Sequence, residues 1–377
     1  MKTRFVALLA TATVLAPVAA LAGPAKTVGG VYKGISWEAA SRIVGQTPTG
    51  DVPSPALVGG GDPLYFPDYS KHSGVVSLIM EYSNGSAFIC SGSLTNDRRH
   101  IITAAHCVSD GFGTAGPAKT TAYFYGGPDP NQRVPFNPLS TSRVVGQIFV
   151  NPGYTGEVVD QNDIAVLRLA DIAPEFAASY GLYTGDDLGG QTFNVAGYGG
   201  RSTIGGAFGS NARTGYLRQG ENEYGFRLGD DDFAGFWDGF FGTADVEHSW
   251  LSDFDNGLAA NDMSCLIAGA FDLGGAKYCG TGLGATEVGV AGGDSGGPQF
   301  IDGLLASVTS YGLTFGTGFG DCRAGLNSSC GEFNGWVPIY QHLDFIRDSR
   351  VPEPAALGLF GLGLAGAVAM RRRRKTA

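Results

Sequence analysis

From about Ser73 the chain alternates short apolar runs with polar breaks. The runs "AFICSGSL", "RHIITAAHC", "SRVVGQIFV", "NDIAVLRL", "QTFNVAGYG" and "LLASVTSYG" are rich in β-branched and aromatic residues, and Gly, Asn, Asp and Pro separate them. Runs of this length between turn formers predict strands, whose side chains alternate between two faces. No series of long amphipathic helices lies between them, so the pattern predicts an all-β barrel or sandwich over a parallel α/β sheet. One short helix is expected near the end of the body, over Ile339 to Arg347, with Leu343 and Ile346 on one face. Two segments interrupt the pattern and read as insertions: 47–70, rich in Pro and Gly, and 200–262, rich in Gly, Asp and Phe. The second contains "DFDNG", 253–257, whose alternating carboxylates resemble calcium-loop chemistry without the full loop pattern. A solvated acidic loop is the reading adopted for Asp253 and Asp255, with no metal.

Composition bounds the class. A chain of 377 residues with 43% hydrophobic and 16% charged residues can bury a sizeable core. The net charge of −10 understates how acidic the body is, because seven of the 25 basic residues lie at the two ends. Between Gly23 and Pro354 there are 18 basic against 35 acidic residues. Such a body repels phosphate backbones, which argues against a nucleic-acid partner.

Both ends read as address labels. Lys2 and Arg4, the apolar stretch Phe5 to Leu21 and the small-residue site Ala20-Leu21-Ala22 predict a signal peptide over 1–22, removed by a signal peptidase. A membrane anchor is the alternative. At the other end Val351-Pro352-Glu353-Pro354 precedes an apolar run, Ala355 to Met370, and the cluster Arg371 to Lys375. The basic cluster stays cytoplasmic and leaves the body outside. A plain tail anchor is one reading. The order over 351–377 closely resembles the PEP-CTERM sorting signal of Gram-negative bacteria. That resemblance implies an exosortase partner, transient insertion of the apolar helix in the inner membrane, and removal of the tail. Export permits disulfides, and the six cysteines read as three bridges.

Candidate chemistry centres on "GVAGGDSGGPQF", 289–300. A serine hydroxyl is a weak nucleophile that needs a positioned base, and the base needs an orienting group. Ser295 sits in the glycine-rich turn. His106 ends "IITAAHC" after small residues, and Asp163 heads the apolar run "DIAVLRL". In this order "TAAHC", "DIAVLRL" and "GDSGGP" resemble the chymotrypsin/trypsin-like serine peptidases over roughly residues 43–349. The resemblance implies two antiparallel six-stranded β-barrels. It makes Ser295 the nucleophile, His106 the general base and then acid, Asp163 the orienter, and the amides of Gly293 and Ser295 the oxyanion hole. It pairs Cys90 with Cys107 and Cys265 with Cys279, and leaves Cys322 and Cys330 to pair locally. It makes Ser310, Tyr311 and Gly312 the strand that pairs with the substrate backbone.

The resemblance carries two further expectations. "SRIVGQ", 41–46, matches the family's activation junction, so 23–42 is a pro-segment. Cleavage between Arg42 and Ile43 then frees an ammonium that pairs with Asp294. The pocket base falls on Gly289, with Gly312 and Gly335 on the walls, which implies an open, uncharged pocket and no preference for Lys or Arg. A rival reading takes Gly293 to Gly297 as the nucleophile elbow of α/β-hydrolases, with Asp302 or Asp321 and then His342. The sequence thus points to a secreted serine endopeptidase, without a cofactor, acting on protein or peptide substrates at the cell envelope. The alternative is a surface or matrix binding protein built on the same fold.

Overall fold

The computed structural model of the protein describes residues 27–32, 35–40, 43–45, 61–111, 113 and 116–350. The signal segment 1–22, Arg42, the 47–60 part of the first inserted segment and the sorting segment 351–377 lie outside the described residues. Among the described residues no helix is long and apolar enough to cross a membrane.

The apolar runs are strands. Six of them, Val75–Glu81, Ala87–Leu94, His100–Thr103, Lys119–Phe124, Thr141–Val150 and Ala165–Leu169, close into a barrel. Alternation along them explains why both faces are apolar. Val76, Leu78, Met80, Ile101, Ala122, Phe124, Leu167 and Leu169 form one buried cluster. The opposite face, with Val75, Ile79, Ile89, Ile102 and Val166, joins Ala196, Tyr198, Val308, Val337 and Ile346 of the second half. The first cluster therefore fills the barrel, and the second glues it to its neighbour.

The second half is a nine-stranded antiparallel sheet. Its order is Arg218–Glu223, Thr192–Gly197, Pro298–Ile301, Leu304–Thr314, Glu332–Pro338, Trp250–Phe254 and Phe226–Arg227. Ile35–Ala40 adds to Leu304–Thr314, and Val28–Tyr32 folds back on Ile35–Ala40. Among the described residues this half-barrel is not closed on itself by strand pairing, since the path ends at Arg218–Glu223 on one side and Phe226–Arg227 on the other. The helix near the end of the body begins later than the sequence suggests: Ile339–His342 is a 3-10 turn that leads into the α-helix Leu343–Arg350.

The two segments that read as insertions are packed where they are described. Gly200 to Asp262 belongs to the body of the second half. It supplies three strands of the second sheet, and its Phe226, Phe233, Trp237 and Phe240 are buried with Leu251, Tyr311, Leu313 and Phe333. Rings of Phe233 and Trp237 meet edge-on at 5.8 Å, a geometry that adds to the area buried. The "DFDNG" stretch is not a solvated loop. Asp253 lies within a strand and accepts the Ser264 amide, and Asp255 is buried and accepts the Gly257 amide. The described end of 47–70 is packed too: Asp62 and Asp68 cap short helical turns, and Tyr65 is buried with its hydroxyl donating to Ala285 O.

Candidate active site

The site forms where the barrel meets the second sheet. His106 sits on the 3-10 turn Ala105–Cys107, directly after the strand His100–Thr103. Its side chain keeps 26% exposure, while that of Asp163 keeps 1%. The Asp163 carboxylate receives the His106 amide at 2.8 Å and contacts Nδ1 at 2.7 Å. A carboxylate oxygen can only accept, so Nδ1 carries the proton and Nε2 is the basic nitrogen of the neutral ring. A third donor reaches the same oxygen as Nδ1: the hydroxyl of Ser310, at 2.6 Å. Three donors on one buried carboxylate fix both its position and that of the ring.

Ser295 lies in the turn between the strands Val288–Val290 and Pro298–Ile301, and is 3% exposed. Gly293 has φ +107 and Gly296 has φ +75, conformations that favour glycine. A side chain at 296 would run into Thr103 Oγ1 and the amide of Ala104, so only glycine lets the turn approach the histidine segment. Ser91, from "CSGSL", pins the turn: its amide donates to Ser295 O at 2.8 Å and its hydroxyl to Gly293 O at 2.8 Å. Thr103 Oγ1 in turn donates to Ser91 O at 2.7 Å. The Cys107 sulfur lies 3.7 Å from Ser295 O. The structure thus joins His106 to Asp163 directly and seats the Ser295 backbone against the residue after His106. Among the described residues, the amides of Gly293 and Ser295 donate to no other protein group.

Asp294 is fully buried, and burial pushes its carboxyl well above the ordinary range. The amides of Gly199 and Ala291 donate to it at 2.7 and 3.0 Å. Ile43–Gly45 pairs with Val288–Val290, and Ile43 stands opposite Val290, one residue before Ala291. Three disulfides brace the site and its surroundings: Cys90–Cys107, Cys265–Cys279 and Cys322–Cys330.

Several assignments change with the geometry. Tyr311 lies in the strand Leu304–Thr314, and its ring turns inward. It is fully buried, its hydroxyl pairs with Ser249 Oγ at 2.6 Å, and burial pushes the phenol upward. The ring covers Gly335, where any side chain would strike it, so Gly335 does not line an open wall. Asn334, opposite Gly312, is buried; it accepts the Val290 amide at 2.7 Å and donates to Ser252 O at 3.3 Å. Gly289 carries no charge, but Phe254 packs against it and narrows the space. The α/β-hydrolase order is not assembled. His342 is buried between Asn151 Nδ2 and Gln161 O, Asp321 accepts Thr314 and Ser329 hydroxyls, and Asp302 sits exposed in a hairpin turn.

Sequence reading missed Ser91, Thr103 and Asn334, and assigned Ser310 to the substrate backbone alone. The doublet of serines around Gly92 in "CSGSL" is the one available signal for Ser91; nothing local marks the others.

Residues 68–227 match the trypsin family model, and residues 350–374 match the PEP-CTERM protein-sorting motif. No curated protein matches the chain. A solved HL collagenase structure is similar over 76% of this chain and 98% of its own, with 18% identity and a TM-score of 0.48. The chain carries a trypsin-family domain followed by a PEP-CTERM sorting motif.

Proposed function

We propose that this protein is a secreted serine endopeptidase that cleaves peptide bonds through Ser295, His106 and Asp163. The observation that carries the reading is the His106–Asp163 contact, with Ser310 on the same carboxylate and the Ser295 turn pinned beside Cys107. Ser295 Oγ attacks the substrate carbonyl while His106 Nε2 takes its proton. The carbonyl oxygen becomes an anion that accepts from the amides of Gly293 and Ser295. Collapse breaks the C–N bond, and the proton on Nε2 leaves with the amine. Water, deprotonated by the same nitrogen, releases the acid from the acyl-enzyme and restores Ser295. Asp163 keeps the ring oriented and balances the imidazolium charge.

The pocket favours an uncharged residue before the scissile bond, because Gly289 offers no anion and Phe254 packs against it. Cleavage between Arg42 and Ile43 activates the chain through an ammonium on Asp294. The signal segment directs export, and an exosortase removes the tail from 351 onward at the inner membrane. Labelling with a serine-reactive phosphonate tests the core of this reading. The label should map to Ser295, and Ser295→Ala should lose both label and peptide hydrolysis while keeping its fold. Labelling elsewhere with hydrolysis intact would reject the assignment, and a folded protein without either activity would favour a binding role.

A further inference from the structure

The strand Leu304–Thr314 has two edges. Glu332–Pro338 takes one of them from Ser307 to Leu313. On the other, Pro298–Ile301 reaches only to Val308, and the Ser295 turn then closes on Thr309 through the Gly296 amide and the Gly297 carbonyl. From Ser310 onward this second edge leads away from Ser295, where an extended substrate would lie. In this chain it is already taken from Gly312 on. Ala40, Ala39 and Glu38 run antiparallel opposite Gly312, Leu313 and Thr314. The contact is close enough that a side chain at 312 would press on the Ala40 carbonyl.

The occupying strand is anchored. Ala39 and Ala40 are 0% and 1% exposed, and Ala39 packs among Phe226, Trp237, Tyr311 and Leu313. The Trp37 ring meets Phe241 edge-on at 5.1 Å and lies 6.2 Å from Phe240. Val28–Tyr32 pairs with the outer edge of Ile35–Ala40, so the unit is a hairpin with no open edge toward the cleft. The chain then resumes at Ile43–Gly45 on Val288–Val290. The Arg42–Ile43 bond falls between the two pairings.

We propose that the paired strands Val28–Tyr32 and Ile35–Ala40 are a built-in inhibitor, whose second strand holds the substrate-pairing edge until the chain is cut. The inference rests on the peptidase reading of Ser295. Main-chain pairing gives such a strand affinity for the edge whatever its sequence, and the tether gives it a high effective concentration. Cutting after Arg42 removes the tether, so the hairpin must then compete with substrate as a separate chain. The aromatic part of 200–262 acquires a role here: Phe240 and Phe241 hold Trp37 and keep the hairpin seated.

The test uses the full-length chain with Arg42→Gln to keep it uncut, alone and with Trp37→Ala or Ala40→Pro. Ala40→Pro removes a strand amide, and Trp37→Ala removes the latch. Three quantities are measured: hydrogen exchange over Gly312–Thr314, turnover of nitrophenyl acetate, and hydrolysis of a quenched peptide substrate. Exchange over Gly312–Thr314 should be slow in the parent and roughly tenfold faster or more in both variants, as losing one or two main-chain hydrogen bonds implies. The ratio of peptide to ester turnover should rise by a similar factor. Unchanged exchange in both variants, or faster exchange with an unchanged ratio, would overturn the proposal. If no form turns over either substrate, wild-type chain cut after Arg42 included, the peptidase reading fails, and exchange alone still reports where the hairpin sits.

Discussion

Removing the hydroxyl of Ser310 isolates one of the three donors on Asp163. Its oxygen lies 2.6 Å from the carboxylate oxygen that also contacts His106 Nδ1, and both Ser310 and Asp163 are buried. A hydrogen bond to a charged group contributes about 1.5–3 kcal/mol. In the transition state the same carboxylate must balance an imidazolium, so most of that loss should appear in kcat. At about 1.4 kcal/mol per tenfold, Ser310→Ala should lower kcat/KM roughly 10- to 100-fold with little change in KM for a short ester. Ser310→Thr keeps the donor and should recover most of the activity. Asp163→Asn should cost far more, on the order of 10⁴ in kcat, because it also presents the wrong partner to Nδ1. Steady-state kinetics on purified, cut enzyme decides the matter, with thermal melts to show that each variant is folded. Wild-type kcat/KM in Ser310→Ala would refute the view that Asp163 needs its third donor. So would an alanine loss that threonine cannot repair.

Three further expectations can be checked separately. Cys90–Cys107 closes a loop of sequence separation 17, so replacing both cysteines should cost about 3 kcal/mol by loop entropy, read as a lower denaturation midpoint. Asn334→Ala leaves the buried Val290 amide without its acceptor and should cost about 1–3 kcal/mol, read as a lower denaturation midpoint; an unchanged midpoint would refute that role. Burial pushes Asp253, Asp255, Glu287 and Glu332 up to about 7, 6, 8 and 8. The unfolded chain loses these protons first, so their stability contribution is full below about pH 4 and is lost as pH rises through about 8. Buried His72 and His342 and half-buried His248, pulled down by desolvation, oppose this only below their ordinary value of 6.5, so the melting temperature should fall between about pH 6.5 and 8.5.

What the sequence made legible was local. "AFICSGSL" is the strand Ala87–Leu94 and "LLASVTSYG" begins the strand Leu304–Thr314, because β-branched alternation and turn residues act within a few positions. The turn around Ser295 was legible because its glycines have steric reasons, seen at Gly296 against Thr103. What stayed hidden depends on partners far along the chain. Ser310 is an ordinary strand serine until the fold brings Asp163 to it, and Asn334 is unremarkable until it stands opposite Gly312. The aromatic residues of 200–262 follow no helical or strand period. They pack through turns, so their composition read as a loop although Phe233 and Trp237 are core. The pairing of Ala40 with Gly312 joins the two ends of the described chain, and no local pattern encodes it.

Cutting after Arg42 should change the sign of the pH dependence at Asp294. In the uncut chain the buried Asp294 carboxyl is raised by burial, against the opposing pull of the Gly199 amide. A raised carboxyl contributes stability that is full below about pH 4 and lost as pH climbs through its folded value. Cutting after Arg42 gives Ile43 an ammonium next to Val290, and the Ala291 amide already touches Asp294. An ammonium that reaches Asp294 favours the ionised carboxylate and draws its pKa down. The contribution then reverses: it is present above about pH 4 and lost as pH falls through the lowered value. The amine, ordinarily near about pH 8, adds stability that disappears as pH rises through its own raised value. The difference in melting temperature between cut and uncut chains should therefore be largest between about pH 5 and 8 and shrink on both sides. Calorimetry on Ser295→Ala protein, cut by an external protease, measures it without self-digestion. In the same background Asp294→Asn should flatten the difference, since an amide cannot balance the ammonium. Parallel curves for cut and uncut chains, or a hump that survives Asp294→Asn, would mean that the Ile43 amine does not reach Asp294 and that cutting acts on the hairpin alone.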